Sequence, residues 1–238
     1  MPKIKKTYTS RIKKFFFLTS PLLFFLFYYQ LITPNISKLK RRNPQKTALM
    51  NYRERIYKQK GKKYKIKQKW VTLSRISPHL INAILIAEDD KFWQHDGFDY
   101  EAIQEAIDKD IEAGKFKSGG STISQQLVKN LYLSPKKSLI RKLREAIITW
   151  RIEKTLSKKR ILELYLNVIE WGEGIFGIEA AARYYYNKSS YRITPFEAAR
   201  LAAVLPNPIR YKPTGKQKYV INRSQIIYDR MMRRKRGK

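Results

Sequence analysis

No charged side chain occurs between Phe15 and Ser37. Within that interval "FFFLTSPLLFFLFYYQLI" is almost wholly apolar, close to the ~20 residues a helix needs to cross a hydrocarbon layer. Tyr28 and Tyr29 fall near one end, where amphipathic rings favour the membrane interface. A cleaved signal peptide needs small residues at its cleavage site, and the chain has no alanine before Ala48. Residues 15–34 therefore read as a retained transmembrane helix behind a basic tail, residues 1–14. Lysines and arginines flank the span on both sides, so charge alone does not orient it.

The formal net charge of +32 is concentrated in the N-terminal part, where residues 1–70 hold a single acid, Glu54. A basic arm beside a membrane meets anionic lipid, and a free one meets nucleic acid. Residues 35–69 read as a Lys-rich connector, with alternation in "KKYKIKQKWVTL" hinting at a short strand. The absence of cysteine removes disulfides, Cys–zinc sites and thiol nucleophiles from consideration. With only two histidines, a His-rich metal site is also excluded.

From Ser77 the texture becomes helical. "SPHLINAILIAEDD" carries Ser77 as N-cap and Pro78 at the first position. "DYEAIQEAIDKDIEAG" places Ala102, Ile103, Ala106, Ile107 and Ile111 at helical spacing and stops at Gly114. "SLIRKLREAIITWRIEKTL" is a longer amphipathic helix, with Leu139, Leu143, Ala146, Ile147 and Trp150 inward. "KKRILELYLNVI" is a further helix, and a loop with Gly172, Gly174 and Gly177 leads into "IEAAARYYYNK". "TPFEAARLAAVLP" opens with a capping box of Thr194 and Glu197. Residues 70–215 thus form one mainly α-helical domain and 216–238 a basic extension, whose final "RMMRRKRGK" reads as a solvated tail.

Three clusters carry chemistry. Glu88 and Asp89 close an apolar helix in "EDDKFWQHDGFD", where desolvation raises a carboxylate pKa and suits a general base. Taken alone, the same residues also fit an exposed helix end, and His95 fits a structural hydrogen bond. In "GGSTISQQLVKN", Ser121 or Thr122 caps a helix whose free N–H groups fit an anion, with Lys129 two turns on. An ordinary capped helix with Gln125 and Gln126 in water fits the local pattern equally well. In "RKLRE", Glu145 is a helical neighbour of Arg141 and Lys142, either as a surface salt bridge or as a carboxylate inside a cationic cluster.

The ordered set is more specific than its parts. "EDDKFWQHDGFD" fits E-D-x-x-F-x-x-H-x-G-x-D, followed by "GGSTISQQLVKN", "RKLRE", "KKRILELYLN" and "RLAAVLPNP". This resembles the peptidoglycan glycosyltransferases of family 51, the monofunctional enzymes and the N-terminal modules of class A penicillin-binding proteins alike. The resemblance implies a lysozyme-like helical glycosyltransferase domain with a membrane-embedded lobe, and lipid II and the growing lipid-linked glycan as substrates. It also implies an N-terminus in the cytoplasm and a catalytic domain on the outer face of the cytoplasmic membrane, the inner membrane of a Gram-negative cell. Cell-wall synthesis proteins are the partners to look for, with no role for nucleic acid.

Carried over by residue, the resemblance implies that Glu88 is the general base and that Glu145 organises the cations around the donor pyrophosphate. Lys129, Lys137, Arg141 and Lys142 would meet that diphosphate. Asp89, Phe92, His95, Gly119, Gly120, Ser121, Thr122 and Gln126 would complete the substrate site. No cofactor is required; a divalent cation, Mg or Mn, is an option at the pyrophosphate, although no dedicated ligand set is readable. Lys137 stands where the family often has arginine, which keeps the charge and loses fork geometry. S-x-x-K recurs without S-x-N or K-T-G, so no transpeptidase is expected. Two rivals remain in view. A lytic glycosidase needs no cationic cluster, and a tethered basic protein needs none of the paired motifs.

Overall fold

The computed structural model describes residues 34–112, 114, 120–136 and 138–236. The proposed transmembrane span, Gly119 and Lys137 lie outside the described residues. Among those described, no helix is long and apolar enough to cross a membrane.

The described chain is mainly helical. Helix α1 (Ala48–Gln59) opens with Thr47, whose side chain accepts from the Met50 N–H. It occupies the segment expected to be a connector, and it is anchored there. Met50 is fully buried, and Arg53 grips Glu170 through three hydrogen bonds of 2.7–3.0 Å. The lysine-rich composition hid this helix, because only one of its residues is buried. The hinted strand exists as β1 (Lys67–Gln68), which pairs parallel with β3 (Ile175–Phe176). The glycine-bearing loop is in fact an antiparallel pair, β2 (Glu170–Gly172) with β3, giving sheet order β1-β3-β2.

Helix α2 (Pro78–Glu88) has Pro at its first turn, which needs no N–H partner there. Ser77 precedes it as expected, but its hydroxyl donates to the Ile193 carbonyl and ties two segments together instead of capping. Leu80, Ala83, Ile84 and Ile86 of α2 face the interior. They pack against α8 (Pro195–Val204), whose Thr194–Glu197 capping box is present as read from the sequence. Helices α4 (Ile123–Tyr132), α5 (Leu139–Thr155) and α6 (Lys158–Val168) form the adjoining layer, with α4 in contact with both others. Helix α7 (Ile178–Tyr186) ends at Asn187 in the left-handed region, φ 54°.

Two helices present apolar residues to the outside, and in one of them this reverses the expected inward face. No residue of α3 (Tyr100–Glu112) is buried, and Ile107 and Ile111 are exposed. In α5 the inward face is Glu145, Ile148, Thr149 and Ile152, while Leu139, Leu143 and Trp150 are 90%, 64% and 53% exposed. Periodicity finds an apolar stripe but not what covers it.

The C-terminus also departs from expectation. The basic extension is a packed helix: α9 (Lys218–Arg236) buries Val220 and Ile227 against α8 and α2, and Met231 is buried within the stretch expected to be a solvated tail. Its overall basicity conceals apolar positions at helical spacing.

Candidate active site

The tripeptide Glu88-Asp89-Asp90 ends α2, and its three carboxylates go to three places. Asp89 turns inward and is buried; its Oδ1 pairs with His95 Nε2 at 2.9 Å and its Oδ2 accepts from the Ile123 N–H at 2.8 Å. The Gly97 N–H donates to His95 Nδ1 at 3.0 Å, so the ring carries its proton on Nε2 and donates to Asp89. Thr122 donates to the Gly97 carbonyl at 2.7 Å and accepts from the Gln125 N–H in a capping box. Gly97 has φ +91°, and an added Cβ would stand 2.8 Å from Glu153 Cγ, so no side chain fits.

These bonds alter the reading of the second cluster. The N–H groups of Ile123 and Gln125 are already taken by Asp89 and Thr122, so this helix start does not offer them to an anion. Asp89, His95 and Thr122 fasten the first motif to the second. Phe92 is fully buried, with Lys158 Nζ 4.5 Å from its ring centroid. Gly120 lets α3 approach, since a Cβ there would lie 3.1 Å from Ile103 Cα. Gly120, Ser121 and Thr122 line a cleft of about 330 Å³ together with Glu88, Asp89 and Asp90.

Glu88 turns toward that cleft. Its Oε2 accepts from Gln126 Nε2 at 2.9 Å, while its Oε1 is buried without a hydrogen-bond partner. Arg223 Nη2 of α9 stands 3.8 Å from that oxygen. Burial pushes the Glu88 carboxyl above its ordinary value, against the opposing pull of Gln126, Arg223 and Lys129. Asp90 goes outward to α9, paired with Arg230 at 2.9 Å and with Arg234.

One turn beyond Gln126, Lys129 faces both carboxylates that the sequence singled out. Crowding by protein lowers its ammonium pKa, Glu145 opposes this, Arg141 and Lys142 add to it, and Glu88 opposes it more weakly. Glu145 is only 2% exposed, with Arg141 Nη1 2.8 Å from Oε2 and Lys142 Nζ 2.5 Å from Oε1. The pair is therefore no surface salt bridge. Arg141, Lys142 and Lys129 together outweigh one carboxylate, leaving positive charge for an anion. Among the described residues no group of three His, Asp or Glu side chains is arranged to hold a metal ion. Both Glu145 oxygens are engaged by cations, so this cluster does not fit a divalent ion without breaking those bonds.

A family model described as transglycosylase matches residues 53–232. The chain belongs to the transglycosylase family. A protein of Dechloromonas aromatica named biosynthetic peptidoglycan transglycosylase is 52% identical over 189 residues, 79% of this chain and 82% of its own. Proteins with the same name from Aromatoleum aromaticum and Laribacter hongkongensis are 54% and 44% identical. They cover 71% and 88% of this chain, and 74% and 92% of their own lengths. The match begins inside α1 and ends inside α9, so both outer helices belong to the transglycosylase domain.

Two residues of the transglycosylase site escaped the sequence reading. Arg223 stands far along the chain from Glu88, in a segment that reads only as a basic extension. Tyr165 sits in an apolar helical run where an aromatic reads as core, yet its hydroxyl donates to Gln126 Oε1 at 3.0 Å. No local pattern signals either contact.

Proposed function

We propose that this transglycosylase polymerises lipid II into β-1,4-linked glycan, with Glu88 as general base. The observation that carries the proposal is buried Glu88 held by Gln126 of α4, with Lys129 one turn further along the same helix in the field of both Glu88 and the Arg141–Lys142–Glu145 cluster. Base and cations are thus linked through α4, as a reaction with a proton at one end and a departing diphosphate at the other requires. The shared name of the relatives supports the substrate class.

In this reading Glu88 removes the proton from the acceptor's GlcNAc 4-hydroxyl as that oxygen attacks C1 of the donor's MurNAc. The C1–O bond to the polyprenyl diphosphate breaks with inversion, and its electron pair leaves with the diphosphate. Lys129, Arg141 and Lys142 stabilise charge that grows on that group, an electrostatic contribution larger in the transition state than in the bound substrate. A raised Glu88 pKa favours proton abstraction, because it is a stronger base once ionised.

The finer architecture belongs to the same proposal: a lysozyme-like helical domain, anchored by a transmembrane helix at residues 15–34, acting on the outer face of the cytoplasmic membrane. Exposed Ile111 on α3 and Leu139, Ile140 and Leu143 on α5 support a lobe that enters the bilayer. The test is polymerisation of lipid II by purified full-length protein. Glu88→Gln should reduce turnover by ~10²–10⁴-fold while leaving lipid II binding intact. Near-normal turnover by the variant would remove Glu88 from the role.

A further inference from the structure

Gln126 can face Glu88 with either of two groups of almost equal shape. If the amide N–H points at the carboxylate, the ionised form is favoured; if the carbonyl does, only a protonated carboxyl can donate to it. The side chain itself does not choose. Its other end does: Gln126 Oε1 accepts a hydrogen bond from the Tyr165 hydroxyl at 3.0 Å while Nε2 donates to Glu88 Oε2 at 2.9 Å. Among the described residues, the only further contact that favours this orientation is the long one from Nε2 to the Ser121 carbonyl at 3.5 Å.

Tyr165 is suited to enforce that choice. It lies within α6, is 1% exposed, and among the described residues its hydroxyl has no other partner. Burial, with Glu88 and Asp89 adding to it, pushes the phenol well above its ordinary value, so the hydroxyl remains a donor throughout the pH range of any assay. Turning the amide over would leave that buried donor facing an N–H group. An unsatisfied buried donor is costly, so the turned state is suppressed.

We propose that Tyr165 is a positioning residue for the catalytic base, holding the Gln126 amide with its N–H side toward Glu88. The inference rests on the reading of Glu88 as general base. The other groups facing Glu88 are Asp89 beside it, Lys129 from α4 and Arg223 from α9. Asp89 is held by His95 and Ile123, and none of the three is bonded to Tyr165. Removing the phenolic hydroxyl therefore changes one contact in the set. In its absence the amide samples the carbonyl-in orientation, and Glu88 keeps its proton to higher pH.

The experiment uses full-length wild type, Tyr165→Phe, Gln126→Leu and the double variant, each assayed on lipid II across pH. In parallel, carboxyl carbon NMR of glutamate-labelled protein follows the Glu88 titration, its signal identified by its loss in Glu88→Gln. Tyr165→Phe should move the acid limb of kcat/KM and the Glu88 titration upward together, by about half to one unit, the scale of one neutral hydrogen bond. The loss should be about three- to tenfold on the acid side and smaller on the plateau. Gln126→Leu should also move the limb, and the double variant should shift no further than Gln126→Leu alone, because Tyr165 acts only through Gln126. If Tyr165→Phe does not fold, site-specific 3,5-difluorotyrosine keeps the ring, strengthens the donor and should shift the titration the opposite way.

A folded Tyr165→Phe protein whose Glu88 titration and acid limb are unchanged overturns the inference, and so does an additive double variant. A merely structural tyrosine would lower melting temperature and scale activity equally at every pH. An active Glu88→Gln protein instead overturns the base assignment, and is distinguished by that variant alone.

Discussion

Ending the chain after Gln217 removes α9 and tests whether that helix is part of the domain. The deletion takes away Val220, Ile227 and Met231, which are 0%, 3% and 2% exposed. Burying one such side chain contributes roughly 1.5–3 kcal/mol, so the three together contribute about 5–9 kcal/mol. A domain's whole stability is about 5–15 kcal/mol, so the loss is of the same size. The partners on α8 and α2 are stripped at the same time, which exposes further apolar surface. The expected outcome is a protein without a cooperative thermal transition by circular dichroism, rapidly cut by protease. Ile227→Ala gives a graded version: a cavity costing about 2–5 kcal/mol, read as a melting temperature lower by roughly 5–15 °C in a domain of this size. A chain ending at Gln217 that melts within about 2 °C of wild type and polymerises normally would refute the packing argument. That is the behaviour a solvated tail predicts.

Glu88 should make stability depend on pH. A carboxyl whose folded pKa is raised contributes stability that is complete below the ordinary glutamate value and is lost as pH rises through the folded pKa. Glu88→Gln should therefore melt above wild type at neutral pH, with the gap closing below about pH 4; equal melting temperatures at both pH values would contradict the burial of this group. The cations should separate by kind. Lys129→Ala, at an exposed residue, should keep the melting temperature and lower kcat as well as raise KM. Arg141→Ala should change kcat and KM in the same directions but also destabilise by about 1–3 kcal/mol, because it leaves an oxygen of buried Glu145 short of a partner. Unchanged kinetics in folded Lys129→Ala would show that α4 is only a scaffold.

The sequence disclosed what is local. Pro78 at a helix start and the Thr194–Glu197 box follow from backbone chemistry within four residues, and both helices begin where expected. The pairing of Arg141 and Lys142 with Glu145 is likewise a matter of helical spacing. What spacing left undecided was burial: the same pattern fits a surface pair or the buried carboxylate found here. The apolar faces of α3 and α5 were legible as stripes, but for α5 an inward direction was assumed, and a stripe meant for another apolar medium looks identical. The roles of Asp89, His95 and Thr122 were out of reach for a different reason. Asp89 meets the Ile123 N–H and Thr122 the Gly97 carbonyl, backbone groups of another segment that leave no mark in the side-chain sequence. Tyr165 and Arg223 were hidden in the same way, since each meets the base only through the packing of distant helices.

The division of Glu88, Asp89 and Asp90 among three directions has a practical reach. Because Asp90 is paired with Arg230 and Arg234, the last turns of α9 are connected to a point two residues from the base. An affinity handle or fluorescent fusion joined after Lys238 would begin just past that attachment. Pull on it, and the strain arrives at the end of α2. Labelled versions of this enzyme are therefore better built from the other terminus, and a loss of turnover on C-terminal fusion should be read as a report on the Asp90 clasp before it is read as misfolding.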